Sequence, residues 1–377
     1  MSLTDHEMSW WYRKPPEKFW EGLPIGCGRF AGMVHGTPGK ELITFNDETL
    51  WSGGPYNPIK PGGPDMFARI RKDVSERHFR KADEDALHMI GCPSPVQQYQ
   101  AMGTLQVVFD GHEDFLHYNR RLDMQDAVVR TSYESNGTRY GRECFASYPD
   151  QAIVVLFTAD RPASLFLECH LVSLQPVENL VVQTHGTSGT IRMDGRIEDA
   201  VKTGERFYER VIPSVVRWQA VLKVEIHGGV MESVNPHEQE DSRCFLRIRG
   251  ADSVELYLVG ATNVKSWNNV SADPEERCRK WLQGRSDAYG TILTRHLQDY
   301  RPLFCRCSLH LGGAGASAQS TSDRLTRMRQ GENDPHFLAQ YFQYARYLLL
   351  AAAREGTLAY NNHNIWLDNL DGRWQGR

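Results

Sequence analysis

The feature that most restricts this fold is a long run of short strand patterns, separated by turn residues, between about residues 22 and 260. Each segment is rich in β-branched or aromatic residues and is bounded by Gly, Pro, Asn or Asp, which is typical of strands. Asn136-Gly137 lies between two such segments and favours a hairpin turn, because this dipeptide tolerates positive φ at both positions. Many short strands with frequent turns predict an antiparallel β-sandwich. The clearest strand segments are 41–45, 105–109, 127–133, 152–158, 164–171, 214–226, 244–249 and 254–259.

Two changes of pattern divide the chain further. We predict an N-terminal β-sandwich over residues 1–260, with a helical insertion at about 64–90. Residues 261–332 switch to helical periodicity and form a predicted helical linker region. Asp273-Pro274 indicates a helix start there, because a capping residue is followed by proline at the first helical position.

A third region, residues 333–377, begins with the same kind of signal at Asp334-Pro335. A broad apolar face at helical spacing follows between residues 337 and 349. One apolar helix cannot bury itself. We therefore predict that this region opens an all-helical domain, and that its exposed helix could cause self-association.

Charge and hydropathy exclude several classes of partner. The 377 residues have a formal net charge of −4, which offers no basic field for nucleic acid or an anionic membrane. No apolar run reaches the roughly eighteen residues that a membrane-spanning helix needs. The N-terminal segment lacks the pattern of a secretory signal peptide, so we expect a cytoplasmic location.

The eight cysteines are scattered through the chain rather than clustered as in a small disulfide-rich domain. Cys305 and Cys307 form a Cys-x-Cys pair, but neither a second pair nor a histidine cluster lies nearby to complete a zinc site. The sequence therefore predicts reduced, structural thiols.

A polar cluster follows the strand-like segment at 41–45. Asn46, Asp47, Glu48 and Thr49 are followed closely by Trp51, so one turn carries carboxylates, an amide, a hydroxyl and an indole. Such a set suits a sugar, since polar groups bond hydroxyls and an aromatic face packs on the apolar face of a pyranose. The alternative is a strand-to-loop corner in which polar residues cap their own backbone. Both interpretations stay open at this stage.

Other catalytic patterns are weak. The glycine-rich segment 23–32 lacks the Gly-Lys-Ser/Thr ending and the following helix of a phosphate loop, which favours a β-turn with close backbone approach. Among 47 acidic residues no pair stands in a recognisable acid/base motif. His35, His296 and His363 have no partner signal, so a packing or surface role is favoured for each.

Two segments of the chain are specific: Asn-Asp-Glu-Thr-Leu-Trp-Ser-Gly-Gly-Pro from Asn46 and the Tyr-Phe-Gln-Tyr-x-Arg-Tyr-Leu-Leu helix from Tyr341. With weaker segments they run nearly end to end, over 23–36, 43–57, 98–109, 118–160, 296–313 and 334–366. Together these segments resemble family 95 glycoside hydrolases, typified by 1,2-α-L-fucosidases.

The resemblance implies a multidomain fold: an N-terminal β-sandwich, a helical linker, an (α/α)6 barrel of which residues 333–377 supply the first helix and loop, and a further β domain. It also implies inverting hydrolysis of terminal α-L-fucosyl residues without a metal or other cofactor. In the family a glutamic acid protonates the leaving oxygen, and asparagines with an aspartate activate water. These groups are expected after Arg377, so we predict no catalytic residue in this chain and no activity from it alone.

The resemblance places substrate-side residues in two segments. One is the sandwich turn, and the other is the first barrel loop, where residues 360–364 depart from the family's usual Ala-Asn-Leu-Gln-Gly. The residues predicted to bind a fucosylated oligosaccharide or glycan are Asn46, Glu48, Thr49, Trp51, Asn361, His363, Trp366 and Asp368. Two alternative functions remain at this stage: a noncatalytic carbohydrate-binding or remnant β-sandwich protein, and an α-L-galactosidase.

Overall fold

The computed structural model describes residues 8–57, 59, 61–89, 98–197, 199, 212–235, 244–283, 288–312, 319–360 and 365–370. The strands in this part of the chain are β1 (Ser9–Tyr12), β2 (Leu23–Gly26), β3 (Phe30–Val34), β4 (Lys40–Asp47), β5 (Gly103–Val108), β6 (Leu116–Asp123), β7 (Val128–Ser135), β8 (Thr138–Ser147), β9 (Ala152–Ala159), β10 (Leu165–Val172), β11 (Val177–His185), β12 (Ser188–Arg196), β13 (Arg217–His227), β14 (Val230–Val234), β15 (Phe245–Ala251) and β16 (Ser253–Thr262). The α-helices are α1 (Gly63–Ser75), α2 (Phe79–Leu87), α3 (Pro274–Leu282), α4 (Tyr289–Phe304), α5 (Thr321–Arg329) and α6 (Pro335–Ala352), and a 3₁₀ turn covers Phe19–Glu21.

The strands form two antiparallel sheets. The nine-stranded sheet has the order β1-β6-β7-β8-β9-β16-β13-β12-β11, and the seven-stranded sheet has the order β14-β15-β10-β5-β4-β3-β2. Side chains alternate between buried and half-buried along β5, as period-two strands with one core-facing side require. The predicted N-terminal β-sandwich followed by helices is confirmed.

One large apolar core fills the space between the sheets. It includes Phe30, Phe45 and Leu105 from the smaller sheet and Ile153 and Trp218 from the larger one, all essentially inaccessible to solvent. Burial of each such side chain contributes about 1.5–3 kcal/mol to the free energy of folding relative to leaving it exposed, so packing between the two sheets stabilises both.

The hairpin between β7 and β8 has the turn that its sequence predicts. Asn136 and Gly137 both have positive φ, at 51° and 70°. This is the conformation that matches the twist of the flanking strands in a two-residue hairpin. The prediction from the Asn-Gly dipeptide is confirmed.

Helices α1 and α2 lie between β4 and β5 in the chain, over Gly63–Ser75 and Phe79–Leu87, where the helical insertion was predicted at about 64–90. Lys81 of α2 forms an ion pair with Asp73 of α1 at 3.1 Å. Most side chains of the two helices are exposed.

Helices α3 and α4 cover the outer face of the nine-stranded sheet. A second apolar cluster joins Cys278 of α3 and Ile292 of α4 to strand residues such as Phe145, Val154 and Val259. Because successive residues of a strand point to opposite faces, Val154 faces these helices while Ile153 faces the main core. Helix α3 begins as predicted, with the Asp273 side chain accepting a hydrogen bond from the Glu275 N–H at 2.9 Å.

Helix α6 is attached to the β2–β3 hairpin. The Tyr347 hydroxyl donates to the Pro24 carbonyl at 2.5 Å, and the Gly28 N–H donates to the Ala351 carbonyl at 2.8 Å. A Cβ on Gly26 would lie 2.4 Å from the same carbonyl oxygen, so only glycine allows this approach. The glycine-rich segment is therefore a hairpin that receives the end of a helix.

The predicted apolar face of α6 is divided between two environments. Phe337 and Tyr347 are buried toward the sandwich, whereas Leu338, Tyr341 and Leu349 are exposed. The helix starts at Pro335 with the Asp334 carboxylate accepting from the Phe337 N–H at 2.9 Å, as its sequence predicts.

Across the described ranges, no helix has both the length and the apolar character needed to cross a membrane.

Candidate functional site

The turn after β4 is shaped by its own side chains. The Asp47 carboxylate accepts hydrogen bonds from the Thr49 N–H at 3.0 Å and from the Thr49 hydroxyl at 2.5 Å. This is the local bonding by which Asp favours turns. Thr49 and Thr262 share a second hydroxyl hydrogen bond at 2.5 Å, which links the turn to the end of β16.

Arg29 fixes the same turn from the other side. Its guanidinium forms an ion pair with Asp47 at 2.6 Å and donates to the Gly260 carbonyl at 2.8 Å. It also lies 3.6 Å from the ring centroid of Trp281 in α3. A largely buried ion pair needs such additional hydrogen bonds to offset desolvation. The turn is therefore held in one position by the β2–β3 hairpin, β16 and α3 together.

Trp51 has a defined ring orientation. Its indole N–H donates to the Glu48 carbonyl at 2.9 Å, and its ring lies 5.4 Å from that of Tyr99 at an interplanar angle of 48°. Trp51 and Tyr99 also form an isolated antiparallel bridge. The half-buried indole therefore presents a fixed apolar surface.

Glu48 joins the sandwich turn to the segment after α6. Its carboxylate accepts a hydrogen bond from the Leu358 N–H at 2.7 Å. Burial raises the pKa of the Glu48 carboxyl to about 7, and the nearby charge of Asp47 adds to this rise, while the Leu358 hydrogen bond and the charge of Arg29 oppose it. Near neutral pH both forms of the Glu48 carboxyl are therefore populated: the protonated form can donate a hydrogen bond, and the ionised form can only accept.

Two cavities meet at Glu48 and Trp51. The inner cavity has a volume of about 120 Å³, and Tyr99, Leu358 and Tyr360 form much of its wall. The outer cavity has a volume of about 480 Å³ and lies between the turn, the loop after β16 and the segment after α6. Largely apolar walls with a few fixed polar groups are typical of small-molecule sites.

The structure places three of the eight predicted site residues at these cavities. Glu48, Thr49 and Trp51 line the outer cavity, and Glu48 and Trp51 also line the inner one. Asp368 is exposed, and its carboxylate accepts a hydrogen bond from the Asn369 amide at 3.0 Å. Two more predicted residues, Asn361 and His363, lie outside the described residues.

Asn46 and Trp366 are engaged inside the protein. Asn46 is 1% exposed, donates its amide N–H to the Leu367 carbonyl at 2.8 Å and accepts from the Met102 N–H at 3.0 Å. The buried Trp366 donates its indole N–H to the Ile25 carbonyl at 2.9 Å. In this structure both side chains connect the sandwich to the segment after α6.

Sequence reasoning missed several cavity-lining aromatic residues. Tyr56 and Trp267 line the outer cavity, Tyr360 lines the inner one, and Tyr99 lies behind Trp51. Trp267 is flanked by Ser266 and two asparagines, and an aromatic residue in such a polar turn was the available signal.

One group of possible metal ligands occurs among the described residues. Oxygen or nitrogen atoms of Asp73, Glu76 and His78 lie within 4.8 Å of one another in the helical insertion. The positively charged Lys81 ammonium forms an ion pair with Asp73 at 3.1 Å and thus already balances the charge of this carboxylate. None of these three residues lines either cavity, so the group is assigned no role in them.

Comparisons with known proteins match nearly the whole chain. Residues 10–267 match the family model described as glycosyl hydrolase family 65, N-terminal domain. Residues 288–377 match the model described as glycosyl hydrolase family 95 catalytic domain.

Three curated relatives are similar along the chain. "Alpha-L-fucosidase 2" of Arabidopsis thaliana is 29% identical, over 96% of this chain and 44% of the relative. "Probable alpha-fucosidase A" of Aspergillus niger is 26% identical, over 94% of this chain and 44% of the relative. "Probable alpha-fucosidase A" of Aspergillus oryzae is 21% identical, over 94% of this chain and 48% of the relative. The chain thus spans less than half the length of these relatives.

Proposed function

The chain belongs to the glycoside hydrolases, with a family 65-type N-terminal domain followed by a family 95 catalytic segment, and on this premise we propose that it is the substrate-side part of an α-L-fucosidase. The reaction proposed for the complete enzyme is inverting hydrolysis of terminal α-L-fucosyl residues on a glycan. The printed names of the curated relatives support this substrate class. We also propose that α6 is the first helix of an (α/α)6 barrel.

The observation that carries the proposal is the meeting of two cavities at Glu48 and Trp51. A carboxyl that bonds hydroxyls lies beside an indole whose face can pack on a sugar ring. Both groups are held by backbone contacts, Trp51 through the Glu48 carbonyl and Glu48 through the Leu358 N–H. A fixed pair of this kind supports recognition of a pyranose without rearrangement on binding.

The inner cavity suits the substituent by which fucose differs from galactose. Fucose has a methyl group at C5 where galactose has a hydroxymethyl group. Leu358, Ile365 and Tyr99 line the inner cavity with apolar groups. An apolar wall accepts a methyl group and leaves a hydroxyl without a partner, which costs binding free energy. We therefore favour a fucoside over an α-L-galactoside.

The chemistry of hydrolysis requires more than these cavities provide. An inverting glycosidase needs a proton donor and a water-activating group roughly 6.5–9.5 Å apart. Among the described residues that line the two cavities, Glu48 is the only carboxyl. We propose that Glu48 bonds a substrate hydroxyl and that the acid and the water-activating groups lie elsewhere in the complete enzyme. The 377-residue chain alone should bind the glycan without cleaving it.

Two measurements on the purified chain test this proposal. Titration with 2′-fucosyllactose should change the tryptophan fluorescence, and Trp51→Ala should weaken binding by about tenfold or more, because it removes the stacking surface. Trp20→Ala is the matched control, since Trp20 is 62% exposed and does not line either cavity. Incubation of the same sample should release no fucose.

The results separate the alternatives. Rapid fucose release by the chain alone would contradict the assignment of catalysis to other residues. No binding of any fucosylated glycan would reject the substrate-side role. A noncatalytic carbohydrate-binding protein is the second candidate, which the single carboxyl in the cavities favours. In that case a protein extended to the length of the relatives would still bind the glycan but would release no fucose. Stronger binding of methyl α-L-galactoside than of methyl α-L-fucoside would favour an α-L-galactosidase.

A further inference from the structure

Trp267 is an exposed indole on an ordered turn. Its side chain is 81% exposed, although its residue lines the outer cavity. Residues on either side form a tight hydrogen-bonded turn: the Asn269 N–H donates to the Ser266 carbonyl at 3.1 Å, and the Lys265 N–H donates to the Asn269 carbonyl at 2.7 Å. The turn therefore holds the indole away from the core instead of letting it collapse onto the sheet.

The base of this turn is fixed by α3. The Arg277 guanidinium donates to the Thr262 carbonyl at 2.9 Å and to the Val264 carbonyl at 2.7 Å. Thr262 also bonds Thr49 in the turn after β4 at 2.5 Å. The two walls of the outer cavity, one carrying Trp51 and the other carrying Trp267, are thus connected through short hydrogen bonds. Their separation is set by the fold.

The outer cavity has the composition of a sugar subsite. Its volume of about 480 Å³ lies within the range of small-ligand pockets. Aromatic residues Trp51, Tyr56 and Trp267 form its walls, while Lys265 and Glu48 supply hydrogen-bonding groups. Flat apolar faces combined with a few polar groups complement a pyranose, which has apolar C–H faces and hydroxyls around its edge.

We propose that the outer cavity is a second sugar subsite and that Trp267 stacks on the pyranose adjoining the terminal fucosyl residue. This inference rests on the proposed function, because it takes the inner cavity and the Glu48–Trp51 pair as the site of the terminal sugar. Its ligand class is the neutral oligosaccharide to which the fucose is attached. Trp267 then determines how strongly the chain distinguishes a fucosylated glycan from a simple fucoside.

Calorimetric titration with two ligands tests the subsite. The wild-type chain should bind 2′-fucosyllactose more tightly than methyl α-L-fucoside, because only the trisaccharide reaches Trp267. Trp267→Ala should weaken the trisaccharide about tenfold and leave the methyl fucoside unchanged. Trp267→Phe should restore most of the loss, since it keeps an aromatic face. Trp20→Ala, a substitution of another exposed tryptophan, should change neither affinity.

The outcomes distinguish this inference from the function on which it rests. If Trp267→Ala binds both ligands as the wild type does, the second subsite is wrong and the proposed function stands. If the variant loses both ligands equally while its circular dichroism is unchanged, Trp267 serves the terminal site and the inference is overturned. If the wild type binds neither ligand, both proposals fail.

Discussion

Replacement of Asn46 by alanine tests whether this residue contacts a sugar or stabilises the fold. Asn46 was predicted as a substrate-binding residue, yet its amide connects the Met102 N–H to the Leu367 carbonyl inside the protein. Alanine would leave both of these backbone groups without a partner. Neither has access to water, because Met102 is fully buried and Leu367 nearly so.

The magnitude follows from these two groups. An unsatisfied buried donor or acceptor costs about 1–3 kcal/mol, so the pair predicts a loss of about 2–6 kcal/mol in the free energy of unfolding. This is a large part of the roughly 5–15 kcal/mol that stabilises a typical domain. The affinity of the folded variant for 2′-fucosyllactose should change little, because the Asn46 amide does not line either cavity.

Urea denaturation followed by circular dichroism measures the effect. Asn179→Ala is the matched control: this asparagine is exposed, and its amide donates to the half-buried Asp194 carboxylate at 2.8 Å. The control should lose less than about 0.5 kcal/mol. If Asn46→Ala were as stable as the control but lost glycan binding, the amide would belong to the sugar site and the structural assignment would be refuted.

Three further predictions concern titration, association and thiol reactivity. Burial raises the pKa of Glu48 to about 7, above its ordinary value of 4.5, so the folded state binds this proton more tightly than the unfolded state does. The free energy of unfolding of the wild type should therefore fall as the pH rises from 4.5 to 7. It should change less in Glu48→Gln, and urea denaturation at each pH measures both. The exposed apolar stripe of α6 should cause concentration-dependent dimerisation in light scattering, and Tyr341→Lys should abolish it; a wild-type monomer at all concentrations would contradict this. Exposed Cys305 and Cys307 should react with iodoacetamide well before buried Cys144, whose thiol pKa is raised by burial, and peptide mass spectrometry would detect any other order.

Local signals in the sequence predicted much of the fold. The Asn136-Gly137 turn and the caps at Asp273 and Asp334 depend on a few adjacent residues, and all three are found in the structure. Strand segments were recognised where β-branched residues are dense, but β11 and β12 were missed because polar side chains interrupt their pattern. The resemblance to family 95 glycoside hydrolases is confirmed by the matching family models and the curated relatives.

The site could be predicted only in part, because its contacts join residues that are distant in the chain. The Asn46 amide meets the Leu367 carbonyl across 321 positions, and the Glu48 carboxylate meets the Leu358 N–H across 310. Nothing local distinguishes a polar residue that faces a cavity from one that bonds a remote backbone group. Trp267 was missed for the same reason, since only the fold brings its turn to the same cavity as Trp51.

The attachment of α6 to the β2–β3 hairpin has a consequence for sequence divergence. At Gly26 and Gly28 the end of the helix is met by main-chain atoms: the Gly28 N–H donates to the Ala351 carbonyl, and the same carbonyl approaches the Gly26 Cα, which carries no side chain. This part of the joint uses no side chain of the helix, unlike the hydrogen bond from the Tyr347 hydroxyl to the Pro24 carbonyl, so it persists when helix side chains change, provided that the two glycines are kept. Divergent sequences that keep the two glycines can therefore keep this main-chain contact between the sandwich and the helical segment, even where the surrounding side chains have been exchanged.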